Sequence, residues 1–314
     1  MASFVLETDK LTKRFGDLVA VRELSLQVHQ GELLGFLGPN GAGKTTAISM
    51  MCGLLRPDSG AVLVHGKPLT DGAVALRSRL GVCPQRLVIW EKLSCVEQLV
   101  FMAEMYGVRR DDGRRRALDL LEALGLREKA TALARTLSGG MQRRLNLALA
   151  LVHDPDVVIL DEPEAGLDPQ SRILVREYIQ GLARRKTVIL TTHNMDEAER
   201  LAQRVAIMDH GRLLVVDTPE GLKRVAGTGD VLEVSVAESS RVLLPAAMER
   251  LKEVVPGATS KEGVVTVVEP GVMNRVAEAV SRLGGAGVVV EDVRVRKRTL
   301  EDVFISLTGR GLRE

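Results

Sequence analysis

From Phe4 to Glu32 apolar and polar positions alternate in short runs, and Val19–Val21 and Leu24–Val28 read as strands of an antiparallel β layer. After Gly31-Glu32 the rhythm changes. Leu33-Leu34-Gly35-Phe36-Leu37 is apolar throughout, as in a strand buried on both faces, and a glycine-rich loop and a helix follow it. Between about Val96 and Leu137, Leu118, Leu121, Leu124 and Leu126 recur near helical spacing among Glu, Arg and Ala, which predicts an inserted helical piece. Val157-Val158-Ile159-Leu160 and Thr187-Val188-Ile189-Leu190 are again short apolar runs, each preceded by a helical pattern. Alternating βα units of this kind build a mostly parallel sheet. At Ala226-Gly227-Thr228-Gly229 the composition shifts to small residues, which places a domain boundary there. Beyond it, Val231–Val236, Gly263–Val268 and Val288–Val295 predict strands, and Leu244–Val254, Val272–Leu283 and Thr299–Leu307 predict helices, together a small α+β domain.

The chain's 314 residues suit about two domains. Its 45% hydrophobic and 27% charged residues are the balance of a folded, water-soluble protein and disfavour disorder or a collagen-like repeat. Lys and Arg number 43 against 41 Asp and Glu, so the net +2 supplies no field of the kind that coats a duplex, and no nucleic-acid partner is expected. The longest stretches without a polar side chain, such as Leu33–Pro39 and Leu283–Val290, fall far short of the roughly 20 residues that cross a bilayer. The N-terminus has no basic region followed by an apolar one, so the protein is expected to stay where it is made. Cys52, Cys83 and Cys95 match neither zinc nor disulfide spacing and read as reduced packing residues of a cytosolic protein.

Against this background three segments carry chemistry. Gly38-Pro39-Asn40-Gly41-Ala42-Gly43-Lys44-Thr45 matches G-x-x-x-x-G-K-[ST] between a buried strand and a helix. Glycines let backbone N–H groups turn around phosphate oxygens, the helix N-terminus adds its positive end, Lys44 neutralises β/γ-phosphates and the Thr45 hydroxyl ligates Mg²⁺. Asp161-Glu162 ends the next apolar strand, where ligands bind in open α/β sheets: Asp161 is placed to hold the metal, and Glu162 to act as general base toward the water that attacks the γ-phosphate. His193 ends the strand after that, as a γ-phosphate sensor or water-orienting residue; taken alone, it would more often be structural. Finally, Ser138-Gly139-Gly140 precedes a helix whose apolar face runs Leu145, Ala148, Leu149, Val152. It reads either as a plain N-cap or as a second anion site.

With these segments in this order, residues 1–226 resemble the ATP-binding subunits of ABC transporters. Gly38 to Thr46 is similar to the Walker A loop, Gln85 to the Q-loop glutamine, Leu137–Met141 to the ABC signature and Asp161-Glu162 to Walker B. Gly166-Leu167-Asp168-Pro169 matches the D-loop, His193 the switch histidine, and Phe15 the aromatic residue that stacks on adenine. The resemblance implies an α/β P-loop NTPase core of mostly parallel sheet with an antiparallel β layer and a helical insertion at about 86–137, followed by a small C-terminal α+β domain over 230–314. It implies ATP and Mg²⁺ as cofactors, with Thr45, Gln85 and Asp161 on the metal. It also implies a head-to-tail dimer in which Ser138 and Gly140 act on the partner's nucleotide. One chain carries every motif for two sites, so a homodimer suffices, and pairing with a related subunit is compatible. The power stroke implies a separate integral membrane subunit, with this chain on the cytoplasmic face.

Met141 stands where many signatures have Gln, and Thr299–Gly309 looks like the tail of drug- and polysaccharide-efflux ATPases of the ABC-2 type, which points to export. The tail domain is expected to be regulatory or dimer-stabilising. Importers remain a possibility within the class. Soluble ABC ATPases acting on ribosomes or DNA look like tandem cassettes or carry long coiled coils, and this chain has neither. Glu164 stands where the family has Thr, and its charge is expected to raise the apparent pKa of Glu162. The run Arg109 to Arg116, with five arginines and two aspartates, reads as a solvated helix start. Trp90, the only tryptophan, lies among Leu87, Val88, Ile89 and Leu93, where family members dock their membrane partner; a surface strip and packing beneath the helical insert are both compatible.

Overall fold

The computed structural model describes residues 4–70, 74–225 and 229–309. They divide into two compact units, one running to Pro219 and the other beginning at Glu220. Residues 226–228 of the expected boundary lie outside the described residues.

The first unit opens with strands β1 (Phe4–Phe15), β2 (Leu18–His29) and β3 (Leu33–Leu37), then helix α1 (Lys44–Met51), β4 (Ser59–Val64), β5 (Lys67–Pro68), α2 (Val74–Arg77) and β6 (Leu80–Cys83). Next come α3 (Cys95–Met105), α4 (Arg110–Ala123) and α5 (Gly139–Leu151), followed by β7 (Val157–Asp161), α6 (Pro169–Ala183), β8 (Thr187–Thr192), α7 (Met195–Leu201), β9 (Arg204–Asp209) and β10 (Arg212–Asp217). One sheet has the order β2-β1-β4-β5 and is antiparallel; the other has the order β10-β9-β3-β8-β7-β6 and is parallel except for β10. The hydropathy pattern explains the difference. Strands β3 and β7 are buried at every position, as strands covered on both faces must be, whereas β2 buries Val21, Leu24, Leu26 and Val28 and exposes the residues between. Those side chains meet Ile48, Met50 and Met51 of α1 and Phe36 of β3 in one core. On the other side α5 packs on β6 and β7, α6 on β8 and α7 on β3.

Two details depart from the sequence expectation. Val19–Val21 and Leu24–Val28 belong to one strand, bent by an irregular register at Leu11 and a left-handed Glu23 (φ 47°), which lets a 12-residue ribbon curl over α1. On α4 the buried stripe is Gly113, Ala117 and Leu121, with Leu118 half-buried, because small residues let α3 and α4 approach closely. The arginine run is a solvated helix start, with Arg109, Arg110, Arg114 and Arg115 exposed. The three cysteines are buried free thiols, and burial pushes Cys83 up to about 11.

The second unit contains α8 (Pro219–Val225), which begins at the division, then β11 (Asp230–Val236), α9 (Leu244–Lys252), β12 (Thr259–Lys261), β13 (Val264–Glu269), α10 (Val276–Gly285), β14 (Val290–Arg296) and α11 (Leu300–Thr308). Its antiparallel sheet has the order β12-β13-β11-β14, and Leu244, Met248, Leu251 and Leu283 of α9 and α10 bury Leu232, Val234, Val265 and Val267. The predicted helix from Val272 starts as a 3₁₀ turn, Val272–Arg275, and the short polar edge strand β12 was not foreseen. Arg296 ties β14 to β11 and α11, with its guanidinium on Glu233 (2.8 Å) and on both oxygens of Asp302 (2.7 and 2.9 Å).

Candidate functional site

Parallel pairing decides where the polar residues meet. Leu37 of β3 lies beside Thr192 of β8, Thr191 beside Asp161 of β7, and Cys83 of β6 beside Leu160. The segments that follow these strands, the loop Gly38–Gly43, Gln85, Glu162 and His193, therefore emerge at one edge of the sheet. The glycine loop needs its glycines at two points above all. A Cβ on Gly38 would lie 2.3 Å from the Met208 carbonyl oxygen, and one on Gly43 (φ 98°) 2.3 Å from that of Ala20. The loop is thereby pressed against β9 and β2.

Lys44, 6% exposed, folds its Nζ onto the carbonyls of Gly38 (2.6 Å) and Pro39 (3.0 Å). Burial lowers its pKa, and the charges of Glu162 and Asp161 pull it back up. Thr45 Oγ1 donates to Asp161 Oδ2 at 3.2 Å, and Thr191 Oγ1 donates to Asp161 Oδ1 at 2.5 Å, so both carboxylate oxygens are oriented. Glu162 takes a left-handed backbone (φ 48°), its N–H donating to Thr191 Oγ1 at 3.0 Å. That turn aims the carboxylate between two neighbours: Gln85 Nε2 donates to Oε2 at 3.0 Å, and His193 Nδ1 lies 3.0 Å from Oε1. Thr191 was not singled out from sequence; its only signal is a hydroxyl closing an otherwise apolar strand.

Lys44, Thr45, Gln85 and Glu162 line a cleft of about 440 Å³, and Asp161, Thr191 and His193 stand behind that lining through their bonds to Thr45 and Glu162. Asn40, Gly41, Gly43, Lys44, Thr45 and Thr46 line its floor, and Phe15, Leu18, Val19 and Ala20 the opposite side. Phe15 is 51% exposed at the mouth, with Lys13 Nζ 5.8 Å from its ring centroid, so it is not a core residue. Leu18, Ala20, His210 and Gly211 were missed by motif reading, because a wall assembled from a hairpin and a distant turn has no linear signature.

Ser138, Gly139, Gly140 and Asp168 are placed elsewhere, and none of them lines this cleft. Ser138 caps α5, its Oγ accepting the Met141 N–H at 3.3 Å. Asp168 caps α6, its Oδ1 accepting the Ser171 N–H at 2.9 Å, and that bond holds its carboxyl below the usual range. A Cβ on Gly140 would come within 3.3 Å of Asp168 Oδ2, so the two helix starts form a single patch, in which Ser138, Gly139 and Asp168 are exposed.

Glu164 has partners of its own, different from those of Glu162. The left-handed turn at Glu162 sends the two carboxylates apart. Glu164 is 8% exposed and accepts from Arg176 Nε (3.2 Å) and Nη2 (2.8 Å), with Arg172 at 4.0 Å. Its charge acts on the carboxyl of Glu197 of α7. Glu197, bonded by Thr192 Oγ1 at 2.5 Å, is pushed up to about 7 by burial and by Glu164, against the opposing pull of that hydroxyl and of Arg176. The folded protein thus keeps a proton that the unfolded chain loses near pH 4.5, and stability falls as pH rises from there to about 7. Glu197→Gln cannot ionise. Its thermal midpoint is expected to gain on the wild type by up to about 3 kcal/mol equivalent between pH 5 and pH 8. A difference that stays constant with pH would show that Glu197 is charged throughout.

Cleft, lysine and carboxylates together define an α/β P-loop ATPase. A family model described as "ABC transporter" matches residues 21–165. "Nod factor export ATP-binding protein I" of Cupriavidus pinatubonensis is 40% identical, over 99% of this chain and 92% of its own length. "Linearmycin resistance ATP-binding protein LnrL" of Bacillus subtilis is 33% identical, over 99% of this chain and 100% of its own. The solved "Structure of ATP binding subunit of ABC transporter" superposes with a TM-score of 0.66 at 28% identity, covering 70% of this chain and 92% of that one. The chain belongs to the ATP-binding subunits of ABC transporters, in the efflux branch. It binds ATP and hydrolyses it to drive transport with a membrane partner. Among the described residues no helix is long and apolar enough to cross a membrane.

Proposed function

We propose that this chain is the motor of an exporter for a small molecule or a lipid- or glycan-like cargo, and that two copies close around two ATP molecules. Residues 1–226 would form the nucleotide-binding domain and 230–314 a regulatory or dimer-stabilising one. Phe15 stacks on the adenine, and the amides of Gly38–Gly43, with Lys44, Thr45 and Thr46, take the phosphates. Thr45 and Asp161 present two hard oxygens 3.2 Å apart, and Gln85, whose amide nitrogen donates to Glu162, carries a further hard oxygen on the same amide. This donor set fits Mg²⁺, held by Thr45, Asp161 and Gln85; the ion supplies charge neutralisation of the phosphates. Glu162 accepts the proton of the attacking water, while His193 and Gln85 fix its two oxygens.

The observation that supports the dimer is the separation within one chain of the cleft from the patch of Ser138, Gly139, Gly140 and Asp168, in which Ser138, Gly139 and Asp168 are exposed. A capped helix start offering free amides is an anion site, and its anion is the partner's γ-phosphate. Closure joins two half-sites; cleavage removes the bridging charge and releases them. Mixing Lys44→Ala and Ser138→Arg chains tests this. Each alone is expected to be inactive, and the mixture to recover turnover, because mixed dimers contain one intact composite site. No recovery would favour a site completed within one chain.

A membrane subunit on the cytoplasmic face is supported by the segment after Gln85. Val88 and Phe101 are exposed, and Trp90 meets Phe101 edge-on at 5.6 Å, leaving an apolar strip beside the helical insert. The Nod factor and linearmycin relatives support export as the direction. A related subunit could replace the second copy, since each chain brings one P-loop and one signature.

A further inference from the structure

We infer that Arg143 is a positioning residue for ATP hydrolysis: from α5 its guanidinium binds the main chain that carries Gln85 and the main chain that carries Glu162, and so keeps those two side chains in register. The side chain is 6% exposed. Nε donates to the Pro163 carbonyl at 3.3 Å, Nη1 to those of Pro84 (3.3 Å) and Gln85, and Nη2 to those of Asp161 (3.0 Å) and Glu162. Two of these carbonyls lie just past the end of β6 and three at or past the end of β7.

A buried charge is costly unless its donors are satisfied, and here the partners are five carbonyl dipoles. Only a rigid planar fork reaches two separate segments at once; a lysine offers a point charge. What the fork joins is specific. Gln85 and Glu162 are the pair whose side chains meet at 3.0 Å, and nothing in β6–β7 pairing extends past Cys83–Leu160 to hold them there. Asn146, less than one turn further along α5, secures the same loop. Its Nδ2 donates to the Pro84 carbonyl at 3.3 Å, and its Oδ1 accepts the Val88 N–H at 3.0 Å. Arg144 points the other way, donating to the Leu124 carbonyl at 2.8 Å. The start of α5, Ser138-Gly139-Gly140, is five residues or about 7.5 Å of helix from Arg143. A contact made there on the partner's nucleotide reaches Glu162 through one rigid helix and one guanidinium.

The inference rests on the roles proposed for Gln85 and Glu162. Arg143→Gln and Arg143→Lys are compared with wild type for ATPase kinetics, thermal midpoint and acrylamide quenching of Trp90, the single tryptophan. The expected result is a kcat reduced 10- to 100-fold in Arg143→Gln with KM for ATP within threefold, since the P-loop is untouched. Partial recovery is expected in Arg143→Lys, together with stronger Trp90 quenching in Arg143→Gln as the loop after Gln85 loosens. Arg143→Lys keeps the charge and stem, and carries the test should the Gln variant not fold. A lower thermal midpoint with unchanged kcat per folded molecule and unchanged quenching would overturn the inference. Full activity of Glu162→Gln would instead overturn the underlying reading of the site.

Discussion

Glu162→Gln is expected to reduce ATP turnover by 10²- to 10⁴-fold while nucleotide still binds, and to trap a dimer at saturating Mg-ATP. Glutamine keeps the volume of the native side chain and an oxygen for the Gln85 N–H, so the pocket should keep its shape. What it loses is the capacity to take a proton from water. Because Glu162 sits in a left-handed turn anchored by Thr191, the substitution changes the chemistry without releasing the turn. Sedimentation or size exclusion with and without nucleotide, beside phosphate release, reads both halves of the expectation. A variant that stays monomeric with ATP would remove the composite site, and one that turns over normally would transfer the base to another group.

Lys44→Ala is expected to weaken ATP binding by roughly 100-fold or more and to abolish turnover at millimolar ATP. The ammonium is buried, so its contact with phosphate is a charge-assisted bond in a poorly hydrated place, each such bond contributing about 1.5–3 kcal/mol. Its loss also leaves Asp161 and Glu162 facing the phosphates without the cation that offsets them. Fluorescent-nucleotide titration gives the affinity and a thermal melt separates it from unfolding. Affinity within threefold of wild type would mean that the glycine-loop amides alone hold the triphosphate.

Glu162 and Glu164 show how far adjacency in sequence is from adjacency in space. Two residues apart, they read as mutually repelling carboxylates. One backbone angle at Glu162 turns the first into the cleft and the second onto Arg176, and the carboxyl that pays for Glu164's charge is Glu197, thirty-three positions away. Arg143 is the same lesson in reverse. It stands two residues past the signature Leu137–Met141, and its role depends on carbonyls of two loops that no side-chain pattern announces.

What the sequence by itself determined was everything carried by local geometry and periodicity. The apolar run of β3 predicted a strand covered on both faces, and those of β7 and β8 the next strands of a parallel sheet; the glycine loop between strand and helix predicted a phosphate site; and strand-end polar residues had to gather at one edge once the sheet was parallel. Tertiary structure alone decided the cleft wall of Leu18, Ala20 and His210, the orientation of Asp161 by Thr191, the divergence of Glu162 from Glu164, and the exposure of Trp90. Each of these depends on through-space partners from distant parts of the chain, and a positive φ or a borrowed carbonyl leaves no trace in the order of side chains.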